Sequence, residues 1–454
     1  MIKRFFAFGF IFIIILTSCT PAASTLSTET VTPFIKIPSE TLSPVSSITL
    51  SSTATKPVPI KLPSQTPTVT QIEIATATQT MTLGALSPED MPMGVNPLTG
   101  QWMQHPENLK LPPALVSITN FPVTSRPQAG LSFSPFVFEI YLGVGASRFL
   151  TVFYGDYPVQ SQPIGIADWD IEQIGEANVG PIRSGRLPYE SLRQLFNGYL
   201  VFAGASHLVL PHLYHYRVVY NDHLENINNS KISTIELRDI ALEEVKKLGY
   251  PNLLSLSFDP EPPDGGLPAE QLWLEYHYYN QVFWRYAEQL GGYQRLQSDE
   301  PEGELELFTD RLNGEALLYE NVVVLFAKYH RYDATFFDID LLYIDKNPAL
   351  LFRDGKVYEI YWTSKNEAYE NSSGKLRPIR FIDSKGEPFP LKPGQTWVSI
   401  VQLHSSVYET QDTQDHYRLK NIPDPGSGLW GVRFYHAPFE EVPKGLDYSD
   451  KPED

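Results

Sequence analysis

The sequence predicts an α+β protein: an N-terminal α/β-type domain followed by a mainly antiparallel β domain, preceded by a disordered stalk. Three observations carry this expectation. Residues 94–256 alternate strand-like runs, rich in β-branched and aromatic residues, with amphipathic helical runs. Residues 257–445 hold further strand-like runs separated by turn sequences such as "RDGK", "DSKGEP" and "KPGQ". From Thr20 to about Asp90 the chain is dominated by Ser, Thr, Pro and Ala, with too little clustered apolar surface to offset its conformational entropy. The layout is therefore a leader (1–18), a tether (19–93), the two domains and a polar tail (446–454).

The leader, "MIKRFFAFGFIFIIILTSC", has a positive start (Lys3, Arg4) and an apolar run from Phe5 to Leu16. That run is too short to span a bilayer comfortably and reads as a secretory signal. Leu16-Thr17-Ser18-Cys19 resembles the lipobox of bacterial lipoproteins, which implies cleavage before Cys19 and diacylation of its sulfur. Two acyl chains supply stable membrane attachment where one gives only marginal binding. Cys19 is the single cysteine, so disulfides, thiolate zinc sites and cysteine nucleophiles are excluded from the folded part. The expected location is the outer face of the bacterial cytoplasmic membrane. At about 3.1 Å per residue, some 70 tether residues reach roughly 200 Å at full stretch. The formal net charge is −18, and losing the leader removes two more cations. Such acidity argues against nucleic acid or an anionic lipid surface as the main partner, because both demand a basic footprint.

Within the first domain "NPLTG" (Asn96 to Gly100) is turn-like, and "ALVSITNF", "FVFEIYLGV" and "SRFLTVFYG" read as strands. Pro188 at a first helical position opens the amphipathic "YESLRQLF", with Gly198 as its stop before the strand "YLVFAGAS". Ser233 and Glu236 form a capping-box pattern for a second helix that ends at Gly249. After "FDPEPPDGGLP" the strand runs are "ENVVVLFAKYH", "ATFFDIDLLYI", "ALLFRDGKVYEIYWTS", "KLRPIRFID" and "TWVSIVQL". Asp354-Gly355 is the strongest hairpin signal among them. The stretch after Leu403 shows no usable period.

Several segments, taken in order, resemble the YerB-like lipoproteins, a two-domain bacterial family of unassigned activity. They are "NPLTG", "RPQAGLS" (Arg126 to Ser132), "FVFEI" with "ASRFLTVF" (Glu139, Arg148), "GPIRSGR" (Gly180 to Arg186), "FAGAS", "NVVVL", "LFRDGK" and "LKPGQTWVSIV". The resemblance covers Asn96 to Val401. The chain departs from it where "SKISTIE" stands in place of a His-bearing "PHN"-like stretch, and where Phe308-Thr309-Asp310 lacks a His before the acid.

The segment "GPIRSGR" is the leading site candidate. Arg183 and Arg186 lie in the loop feeding the helix at Pro188, where free N–H groups and the positive dipole end converge. Guanidinium groups suit phosphate or carboxylate bidentately, Ser184 adds a donor, and Arg148 and Arg126 are candidate contributors. Equally, these arginines can pair with internal acids, with Glu139, Asp168, Asp170 and Glu176 as candidates, and the sequence leaves both readings open. His207, His212, His215 and His223 match no closed metal motif, so neither metal nor cofactor is expected. Trp273, Tyr276 and Trp284 are expected in the core, with stacking on sugar rings as the other reading. Two functions follow as expectations. One is a non-catalytic envelope binding or scaffolding lipoprotein whose partner is an anionic cell-wall polymer or an envelope protein. The other is a hydrolase or transferase on envelope glycan or phosphate-containing polymer, using acids of "ADWDIEQIGEANVG".

Overall fold

In the computed structural model the described residues are 83–158, 177–219, 228, 230–298, 304–409 and 428–446. The leader, Cys19, nearly all of the tether, Asp168, Asp170, Glu172, Glu176, His223 and the tail beyond 446 lie outside them. Packing begins ahead of residue 94. Leu86 is buried and exchanges two backbone hydrogen bonds with Phe258, at 2.7 and 2.9 Å.

The first region supplies β1 (Ala114–Thr119), β2 (Phe136–Gly143), β3 (Ala146–Phe153), α1 (Pro188–Phe196), β4 (Tyr199–Phe202), β5 (Tyr216–Val218) and α2 (Thr234–Leu248). All but β5 fall on segments whose pattern predicts them. Ser233 Oγ accepts the Glu236 N–H at 3.1 Å, and Gly249 closes α2 at φ 70°. One stop differs from expectation: Asn197, not Gly198, takes the left-handed position after α1, at φ 45°. Asn tolerates that conformation, while Gly198 is needed because a side chain there would strike the Pro113 carbonyl.

The second region supplies β6 (Gln271–His277), β7 (Asn280–Ala287), β8 (Gly292–Gln297), β9 (Asn321–Ala327), β10 (Asn347–Arg353), β11 (Lys356–Thr363), β12 (Thr396–Gln402), β13 (Ser406–Glu409) and β14 (Leu429–Arg433). Asp354 and Gly355 both have positive φ, 52° and 69°, as a two-residue hairpin turn requires. The run "ATFFDIDLLYI" contributes only the short strand Phe337–Ile339. Strands β13 and β14 come from the stretch with no legible period.

Strands of both regions share one 11-stranded sheet, whose main run is β11-β10-β9-β12-β2-β3-β1-β4-β5. The join is the parallel β12–β2 pair, from Thr396 opposite Phe136 to Ile400 opposite Ile140. A 7-stranded sheet, β8-β7-β6-β14-β13, covers one face. Alternation along β2 explains the layering. Phe136 and Phe138 meet Phe196 of α1 at 6.1 and 5.7 Å, while Tyr141 stacks on Tyr276 of the second sheet. Trp273, Tyr276 and Trp284 are buried, as expected of core residues.

Between the sheets lies a polar clasp. Arg295 of β8 and Glu139 of β2 are both fully buried, with Nη2 3.0 Å from Oε1 and 3.2 Å from Oε2. Ser147 Oγ and Trp397 Nε1 also donate to Glu139, at 2.7 and 3.2 Å. The guanidinium lies over Phe308 at 4.5 Å and Trp397 at 5.0 Å. Phe308 thus packs against the guanidinium face and edge-on to Phe149.

Candidate functional site

The site forms at the carboxyl ends of β1 and β4, parallel neighbours in the sheet. That is where ligand sites gather in open α/β sheets. Residues 181–183 run alongside β1: Thr119 N–H donates to Pro181 O at 2.9 Å, and Arg183 N–H to Ser117 O at 2.8 Å. The loop then crosses to β4, with Ala203 N–H on Arg183 O and Gly185 N–H on Gly204 O, both 2.9 Å. Two of the quoted segments, "GPIRSGR" and "FAGAS", are therefore in direct contact.

Three arginines meet here. Arg148, the third residue of β3, lies opposite Thr119 and points to the α1 side of the sheet, because Ser147 and Phe149 face the second sheet. Its Nη1 donates to Ser184 O at 3.2 Å. Arg183 donates from Nε to Thr119 Oγ1 at 3.3 Å and from Nη2 to Asn228 Oδ1 at 3.0 Å. Arg186 donates from Nη1 to Gly185 O at 2.9 Å. All these acceptors are neutral. Among the described residues none of the three forms an ion pair, and the candidate partner Glu139 is committed to Arg295.

Burial makes the arrangement costly. Arg148 and Arg183 are 8% and 9% exposed, and the Nε atoms of Arg148 and Arg186 are buried without a hydrogen-bond partner. An unpaired buried charge costs several kcal/mol, so unneutralised guanidinium groups at this density call for an anion. Burial, reinforced by Arg186 and Arg183 and partly offset by Tyr189, pushes the Arg148 guanidinium down to about 9. Burial also lowers Arg183.

The start of α1 adds donors. Leu187 at its N-cap provides no side-chain cap, and among the described residues the N–H groups of Ser184, Arg186 and Leu187 have no hydrogen-bond partner. Tyr189 and Ser117 are fully buried beside the loop; their hydroxyls are 3.4 Å apart, and Ser117 Oγ also donates to Ser184 O at 3.2 Å. A side chain at Gly180 would meet Ser230 O, and one at Gly185 would meet Leu213, so both glycines serve internal packing.

Arg126 belongs to another neighbourhood. It donates to Asn120 O and Ser298 O at 3.3 and 3.1 Å, lies over Phe121, and lines a 160 Å³ cavity with Gln297, Phe308 and Thr309. His215 faces Glu244 at 2.9 Å. Sequence reasoning missed Ser117, Thr119 and Tyr189. Tyr189 stands three residues after Arg186 on the new helix, and Ser117 and Thr119 are alternate residues of one strand; those spacings were the available signals.

The chain matches the family described as "Protein of unknown function (DUF3048) N-terminal domain" over residues 98–236 and its C-terminal counterpart over residues 273–398. Among solved structures it is similar to the crystal structure of the YerB protein from Bacillus subtilis, at 23% identity and a TM-score of 0.49, covering 67% of this chain and 96% of that one. No curated protein matches the chain.

Proposed function

We propose a function from one premise: the chain belongs to the YerB-like family of DUF3048 proteins, whose function is unknown. It is a lipoprotein, anchored through Cys19 on the outer face of the cytoplasmic membrane and presented on its tether. There it binds an anionic envelope component in the Arg148–Arg183–Arg186 loop without transforming it. The observation that carries the binding role is the meeting of three guanidinium groups, two of them about nine-tenths buried, that have only neutral acceptors among the described residues. The leader and the Leu16-to-Cys19 pattern support the anchor.

Cosedimentation of the full chain with purified envelope material tests the role. The double variant Arg183→Glu/Arg186→Glu, checked for retained fold by circular dichroism, should lose binding at least tenfold, since each charge-assisted hydrogen bond is worth about 1.5–3 kcal/mol. Unchanged binding by that folded variant would end the proposal. Soluble product released during the incubation would replace it with the hydrolase or transferase reading. For the anchor, the Cys19→Ala variant should move from the detergent phase to the aqueous phase on partitioning; equal partitioning would remove the lipid.

A further inference from the structure

We infer that the ligand group seated among Arg148, Arg183 and Arg186 is a phosphoryl group carrying two or more charges, a phosphomonoester or a diphosphate. Carboxylates and phosphodiesters are second choices for this loop. The inference rests on the reading of the loop as an anion site and adds the ligand's charge and shape.

Charge is the first argument. Three guanidinium groups converge, and every acceptor they reach among the described residues is neutral: Ser184 O, Thr119 Oγ1, Asn228 Oδ1 and Gly185 O. A carboxylate or a phosphodiester brings one negative charge and leaves two cations uncompensated in a largely buried place. A phosphomonoester brings about −1.5 to −2 near pH 7, and a diphosphate brings more. The rest of this acidic chain cannot supply a diffuse positive field, so the selectivity is local.

Donor number is the second. The buried Nε atoms of Arg148 and Arg186 have no partner, and the N–H groups of Ser184, Arg186 and Leu187 have none among the described residues. Unmet donors at this loop favour a ligand richer in acceptors than a carboxylate, which offers roughly four lone-pair sites. A phosphomonoester has three terminal oxygens, each able to accept more than one hydrogen bond, while a diester has two. The start of α1 favours such a group as well.

The full chain in detergent is titrated calorimetrically at pH 7.5 with methyl phosphate, pyrophosphate, dimethyl phosphate and acetate. Methyl phosphate and pyrophosphate should bind at least 10-fold more tightly than dimethyl phosphate and acetate. Methyl phosphate should weaken several-fold at pH 5, where it keeps its second proton. Arg186→Gln, a half-buried position, should reduce pyrophosphate affinity about 10-fold or more while melting as the wild type does without ligand. A second measurement covers a misfolded variant: pyrophosphate should raise the wild-type melting temperature, and dimethyl phosphate at the same concentration should not. If all four anions bind alike, the charge inference is overturned and the anion site stands. If none binds to the wild type, the anion site itself is overturned. Phosphatidylcholine vesicles with and without phosphatidic acid distinguish the source: retention on phosphatidic acid alongside methyl phosphate binding supports a lipid headgroup, and methyl phosphate binding alone supports a soluble or polymer-borne group.

Discussion

Replacing Arg295 by Met removes one half of the buried clasp and keeps most of its volume. Glu139 then retains only Ser147 Oγ and Trp397 Nε1 as donors and no positive partner, in a layer lined by Phe149, Phe308 and Trp397. Stranding a buried charge in this way costs about 3–5 kcal/mol. The compact unit spans Thr78–Asp454. At about 2.1 cal/mol/K of unfolding entropy per residue, 1 kcal/mol shifts the melting temperature of a unit that long by roughly 1.3 °C, so the loss should be about 4–6 °C. The double variant Glu139→Leu/Arg295→Met removes the stranded charge as well, but leaves Ser147 Oγ, Trp397 Nε1 and Gln297 Oε1 without the partners they have in the clasp. It should melt above the single variant and below the wild type. Differential scanning calorimetry of the full chain gives all three values. A single variant that melts within 1 °C of the wild type, or a double variant as unstable as the single one, would refute the reasoning that the clasp is held by charge compensation.

Three further outcomes are expected. Gly143→Ala places a Cβ onto the Ala334 carbonyl at a residue with φ 91°, and should lower the urea midpoint by the equivalent of about 2 kcal/mol or more; a wild-type midpoint would contradict the turn geometry. Burial opposes protonation of His330, but Glu440 at 2.8 Å and Asp340 at 3.0 Å outweigh it and raise its affinity for a proton. The stabilisation is therefore complete below about pH 6.5 and fades as pH rises through the higher folded value, so wild type and His330→Gln should converge in melting temperature on the alkaline side. Arg148→Gln removes one of the three guanidinium groups at the loop and should weaken pyrophosphate binding several-fold; wild-type affinity in a folded variant would remove Arg148 from the site.

The elements were legible wherever local chemistry decides. Periodicity marked β1 to β4, Pro188 and Ser233 marked the helix starts, and Asp354-Gly355 marked the hairpin, because turn, cap and strand preferences act over a few residues. β5, β13 and β14 were not legible: they are strands by virtue of a neighbour's backbone, not their own pattern. For the site, the sequence by itself determined that Arg183 and Arg186 stand at the mouth of a helix, and that Arg148 lies on a strand. It could not determine which acid pairs with which arginine, since such pairing spans a hundred or more residues. Tertiary structure assigned Glu139 to Arg295 across two sheets, separated Arg126 from the other arginines, and set Arg148 beside Arg183 and Arg186 without a carboxylate among the described residues. The physical reason is the two-residue alternation of strands: Ser147 and Phe149 face the clasp, Arg148 between them faces α1, and only the paired sheet decides what stands on either side.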